Sequence, residues 1–129
     1  MLYFFPAAFS VGCSIEAHAF AEAIADFDAY GASVVGISVD DIDALVKFSV
    51  QDCRGRFAVA SDEGKSVMKQ YDAVMASHPD FANRVSYVIA PDGKVIYQYS
   101  SLNPGIHVNK VLAAVREWAK QHGVAVRKP

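Results

Sequence analysis

The chain has 129 residues, 53% of them apolar and 20% charged, with a net charge of −2. That is enough for one sizeable core in a single domain, residues 1–129, of ordinary globular composition. The twelve basic residues are spread along the sequence, with a local excess only at Arg127 and Lys128, so no nucleic-acid footprint is expected. No apolar run approaches the ~20 residues that a bilayer span requires, and no membrane partner is expected.

Leu2 to Phe5 is a short aromatic-rich run ended by Pro6, the pattern of a buried strand. Cys13, Ala17, Phe20, Ile24 and Phe27 then recur at spacings of four and three. They mark one face of a helix from about Val11 to Tyr30, with Gly31 as its stop. Ser33 to Val39 is a β-branched run suited to the interior of a parallel sheet. Asp40 and Asp41 cap a second helix with the stripe Ile42, Leu45, Val46, Ser49 and Cys53. Phe57 to Ala60 is a short strand, and Ser61 and Asp62 precede a third helix carrying Val67, Met68 and Tyr71.

The pattern changes after a polar loop containing His78 and Pro79. Arg84 to Ala90 and Lys94 to Ser100 are two strands joined by the turn Pro91-Asp92-Gly93. A last helix aligns Val108, Val111, Leu112, Val115 and Trp118 on one face and ends at Gly123. The order β-α-β-α-β-α-β-β-α predicts parallel strands from the helical crossovers and an antiparallel edge from the hairpin. This is an α/β thioredoxin-like fold, a mixed central sheet flanked by helices.

Cys13 lies between the first strand and the first helix, in Pro6-Ala7-Ala8-Phe9-Ser10-Val11-Gly12-Cys13. Unpaired N–H groups and the helix dipole favour a thiolate there, and the thiolate is the nucleophilic form. Two cysteines are too few for a disulfide scaffold, so a working thiol in a reducing compartment, the cytoplasm, is expected. Met1 to Cys13 imitates a lipoprotein leader, but it lacks the basic residue of a signal n-region and is broken by Pro6. Taken singly, Cys13 reads equally as a buried core thiol, Ser10 as an N-cap and Arg84 as a surface ion pair.

Taken together, P-x-x-x-S-x-x-C, Leu2-Tyr3-Phe4-Phe5-Pro6 and Gly12-Cys13-Ser14-Ile15-Glu16-Ala17 resemble the peroxiredoxins of the AhpC/TSA family, most closely the bacterioferritin-comigratory-protein or peroxiredoxin Q branch. The resemblance implies a thiol-dependent peroxidase acting on hydrogen peroxide or alkyl hydroperoxides, without a cofactor or metal, as a monomer or homodimer. Cys13 would be the peroxidatic nucleophile, with Ser10 beside the sulfur and Pro6 shielding it. The backbone N–H groups of Gly12 and Cys13 would face the substrate. Arg84, in Asn83-Arg84-Val85-Ser86-Tyr87-Val88-Ile89, would supply the fixed charge. Glu16 either holds Arg84 or is an ordinary first-turn acid favoured by the dipole. Family members usually carry an N-terminal hairpin before the strand that opens here, so the domain reads as shortened, with an apolar edge left exposed.

The sulfenic acid left by the reaction needs a second thiol. Many relatives carry it five residues after the first cysteine, where this chain has His18; that offset turns about 140° around a helix, away from Cys13. Cys53 is the remaining candidate, about one turn from the usual place in other relatives, and otherwise a buried structural thiol. Without it, an external thiol such as thioredoxin would recycle Cys13. Other cysteine chemistries lack their partners: Glu16 stands where a C-x-x-C reductase needs its second cysteine, and Ala19 where a C-x5-R phosphatase needs arginine. The histidines at 18, 78, 107 and 122 have no neighbours in sequence suggesting a triad or metal site. The rival from another class is a non-catalytic thioredoxin-like domain for binding, redox sensing or holdase activity.

Overall fold

The computed structural model describes residues 1–124; Arg127 and Lys128 lie outside them. Five strands and four helices follow the predicted order: β1 (Leu2–Phe4), α1 (Val11–Ala29), β2 (Val35–Ser38), α2 (Ile42–Gln51), β3 (Ala58–Ser61), α3 (Ser66–Gln70), β4 (Val85–Ile89), β5 (Val95–Ser100) and α4 (His107–Gln121). The sheet runs β3-β2-β1-β4-β5. The strands β1, β2 and β3 are mutually parallel; β4 is antiparallel to β1, and β5 to β4. The first strand is therefore the central one, paired on both sides, and the edges are β3 and β5. None of the described helices is long and apolar enough to cross a membrane.

Alternation along β1 divides the core. Tyr3 and Phe5 face one cluster with Cys13, Ala17, Phe20 and Phe27 of α1, Leu45 and Phe48 of α2, and Val111, Leu112 and Val115 of α4. Phe4 faces a second, smaller cluster with Ile37, Met68, Val85 and Tyr87. Tyr3 stacks on Phe20 with ring centroids 4.4 Å apart, and Phe5 on Phe48 at 5.2 Å. These aromatic pairs press α1 and α2 against the central strand.

The stripe expected on α2 is corrected by the packing. Leu45 and Phe48 are its wholly buried residues, whereas Ile42 and Val46 are 55% and 57% exposed. The inward face follows the spacing of three from Leu45 to Phe48, because Phe48 must reach the Phe5 ring. Cys53 is wholly buried, but it lies past the helix end, where its N–H donates to Phe48 O. On α4, Ala119 is buried and Trp118 only half-buried, its ring stacking on His122.

Candidate active site

The register between β1 and β4 builds the site. Phe4 pairs with Val85, so Arg84 lies beside the end of β1, where the chain turns into α1. Arg84 and Ser86 are two residues apart and share a sheet face with Tyr3, the face that α1 and α4 cover. The intervening loop is held from two directions. Asp40 Oδ2 accepts from Ala8 N–H at 2.7 Å, and Phe9, in the left-handed region at φ 63°, packs edge-on against Phe48. A non-glycine residue at that φ is costly and is held by its surroundings.

Ser10 then caps α1. Its hydroxyl accepts from Cys13 N–H at 3.4 Å and donates to Ala7 O at 2.8 Å. Ser10 itself is exposed; the bond from Cys13 is that of a helix cap, and the bond to Ala7 closes the loop before it. Pro6 is half-buried between β1 and the loop.

Cys13 is 1% exposed, and its Sγ accepts a hydrogen bond from Arg84 NH2 at 3.4 Å. Arg84 NH1 donates to Glu16 Oε1 at 2.8 Å. Glu16 is thus not a first-turn dipole partner. It lies a turn further along, wholly buried, and takes the guanidinium. Burial works against the Arg84 charge, but Glu16 and Cys13 more than offset it and hold the guanidinium above its usual value. Burial pushes the Glu16 carboxyl up to about 8, against the pull of Arg84 in the other direction. Gly12 has a role that sequence reasoning did not give it: a Cβ there would lie 3.0 Å from Arg84 NH2. Glycine leaves the space in which the guanidinium reaches the sulfur.

Sequence reasoning also missed His107. This ring, the first residue of α4, is wholly buried. Its Nδ1 is 2.8 Å from Ser86 Oγ and 3.6 Å from Glu16 Oε2, and its Nε2 is 2.7 Å from Ser101 O. The available signal was His107 opening the apolar stripe of α4, but its neighbours come from α1 and β4, remote in sequence. His18 is as expected, half-buried and bonded to Asp52 at 3.0 Å. Cys53 is free, as is Cys13. Burial, and secondarily Asp52, push its thiol up to about 12.

With this geometry in place, the sequence profile of the AhpC/TSA family matches residues 1–98, and the chain belongs to that family. Its relatives put it in the bacterioferritin-comigratory-protein and peroxiredoxin Q branch. It is 28% identical to Peroxiredoxin Bcp of Escherichia coli K12 over 127 residues, covering 95% of this chain and 78% of that one. It is 32% identical to the chloroplastic Peroxiredoxin Q of Triticum aestivum over 117 residues, 90% of this chain and 54% of that one. Among solved structures, peroxidoxin BcpB of Mycobacterium tuberculosis superposes with a TM-score of 0.81 at 32% identity, covering 90% of this chain and 77% of that one. The protein is a thiol-dependent peroxidase with a thioredoxin-like fold, and the non-catalytic alternative is not favoured.

Proposed function

We propose that Cys13 is the peroxidatic residue and that Arg84, Ser10, Pro6, Gly12 and Glu16 form its site, acting on hydrogen peroxide or a small alkyl hydroperoxide. The observation that carries this is the Arg84 NH2 contact to Cys13 Sγ at the start of α1. The thiolate attacks one peroxide oxygen; the S–O bond forms as the O–O bond breaks. Cys13 is oxidised to the sulfenic acid, and the departing alkoxide or hydroxide takes a proton to leave as alcohol or water. The guanidinium offsets negative charge as it moves from sulfur to the leaving oxygen. The Gly12 N–H, in the first helical turn and without an intrahelical acceptor, provides a further donor, whereas that of Cys13 is taken by Ser10 Oγ. Ser10 preserves this turn by capping it, and Pro6 closes one side of the loop.

For recycling, the burial of Cys53 and its reluctance to ionise favour an external thiol, such as thioredoxin, as the first resolving partner. The thiol attacks the sulfenic sulfur and releases water, and a second thiol reduces the resulting disulfide. A two-cysteine route has one supporting observation, that Cys13 and Cys53 line the same core cluster. It requires the start of α1 or the turn after α2 to unwind before the sulfurs reach bonding distance. Two free thiols suit a reducing compartment, and we assign the chain to the cytoplasm.

The test is intact mass of the unreduced protein after one equivalent of hydrogen peroxide, with peptide mapping. Added oxygen at Cys13, absent in Cys13→Ser, supports the one-cysteine route. Rapid loss of two hydrogens mapped to Cys13 and Cys53 establishes the two-cysteine route. Peroxide turnover surviving in Cys13→Ser overturns the assignment of the nucleophile.

A further inference from the structure

Behind Arg84, beyond the oxygen of Glu16 that takes the guanidinium, lies a second polar layer to which the peroxide chemistry above assigns no part. Glu16 Oε1 is satisfied by Arg84 NH1, but Oε2 is buried with no hydrogen-bond partner. Across from it lies His107 Nδ1, at 3.6 Å. The Ser101 carbonyl can only accept, so Nε2 of that ring carries a hydrogen in either charge state. Protonation of the ring is therefore decided at Nδ1, which faces Ser86 Oγ and Glu16 Oε2.

We propose that His107 is a positioning residue that, with Glu16, holds one proton behind Arg84, on one group or the other, so that the guanidinium charge is left for the Cys13 thiolate. This deepens the assignment of Cys13 and rests on it. With an ionised Glu16 and a neutral ring, Nδ1 would accept from the Ser86 hydroxyl and offer no hydrogen to Oε2, which would be a buried carboxylate oxygen without a donor, and Arg84 would divide its charge between that carboxylate and the sulfur. One proton on either atom removes both costs, and the pair is neutral wherever the proton sits. Burial shifts both groups toward their uncharged forms, raising Glu16 against the pull of Arg84 and lowering His107 against the hydrogen bond to Ser101. The start of α4 also disfavours a full imidazolium charge.

The other titratable or charged groups facing this layer are few. Cys13 and Arg84 have been described. Tyr3 of β1 is held uncharged, first by burial and then by Glu16. Tyr99 of β5 meets the His107 ring edge-on at 5.0 Å, and Lys110 of α4 lies over the Tyr99 ring.

The experiment is the pH midpoint of Cys13 alkylation by iodoacetamide, read in Cys53→Ser protein so that one thiol reports. His107→Gln keeps a donor for the Ser101 carbonyl but cannot take up a proton. It is expected to raise the midpoint by about one unit, as withdrawal of a nearby positive charge does. In Glu16→Gln, where no carboxylate remains to neutralise, adding His107→Gln is expected to leave the midpoint where it was. An unchanged midpoint in His107→Gln overturns the proposal, and so does a shift that persists in the Glu16→Gln background. Should His107→Gln not fold, the imidazole nitrogens and the Glu16 carboxyl carbon of the unaltered protein are followed by NMR. Coupled titration of the two with one proton between them supports the proposal; an ionised Glu16 beside a neutral ring at pH 7 overturns it. Neither readout needs peroxide, so failure of Cys13 to react with peroxide would sink the nucleophile assignment separately.

Discussion

The site turns on the placement of one guanidinium. Arg84 reaches Cys13 Sγ at 3.4 Å and Glu16 Oε1 at 2.8 Å, and it passes Gly12 so closely that an added Cβ would lie 3.0 Å from the guanidinium. Gly12→Ala is therefore expected to spare the fold, since the end of a side chain need give way by only a few tenths of an ångström, and to slow Cys13 oxidation by hydrogen peroxide about tenfold, short of the roughly 100-fold cost of an ångström misplacement. Stopped-flow oxidation beside a thermal melt checks it; an unchanged rate removes the Arg84 contact from the mechanism. The motif around Cys13 was readable because it is local: Pro6, Ser10 and Cys13 lie within eight residues. The part played by Gly12 was not, because its neighbour Arg84 is seventy-two positions away in the chain.

At the level of elements, β1 has only three residues yet organises both core clusters, because its neighbours β2 and β4 fix its register and its side chains alternate between faces. Tyr3 crosses the backbone of β2 at Gly36, where an added Cβ would lie 3.0 Å from the ring. Its hydroxyl is buried without a hydrogen-bond partner. Removing an unpaired buried polar atom without changing shape is neutral or favourable, so Tyr3→Phe is expected to keep the fold and gain up to about 1 kcal/mol. Denaturation in urea measures it, and a clear loss would mean that the hydroxyl has a partner. Element order and strand direction were legible because helix and strand periods differ and because the turn Pro91-Asp92-Gly93 is unmistakable, Gly93 adopting φ 87°. The α2 stripe was misread because Ile42 and Val46 are as apolar as the residues that face inward. Only Phe5 and Phe9 on the neighbouring segment select Phe48.

Over the whole molecule, buried ionisable groups tie stability to pH. Glu16 is raised from 4.5 to about 8 in the folded chain. The folded state thus holds a proton that the unfolded state releases, and its contribution is complete below pH 4.5 and lost as pH rises through about 8. Cys53, raised from 9.0 to about 12, continues the same trend at higher pH. His107 is lowered, so its contribution is present above its unfolded value of 6.5 and lost on acidification through the folded one. Unfolding free energy is therefore expected to fall between pH 6 and 9, and Glu16→Gln is expected to flatten that slope. Urea titrations at the two pH values decide it; an equal slope in both proteins would show that Glu16 is ionised throughout.

The sequence by itself determined the succession of strands and helices, the thiol at the head of α1 and the late arginine, because each is written in short-range spacing or in a compact motif. The tertiary structure alone decided that Glu16 faces inward to Arg84, that Cys53 is sealed in the core, and that His107 joins the layer behind the site. Those three facts depend on which surfaces α1, α2, β4 and α4 present to one another and to the sheet. Contacts of that kind are selected by packing and desolvation, which act between residues far apart in the chain and leave no local period to read.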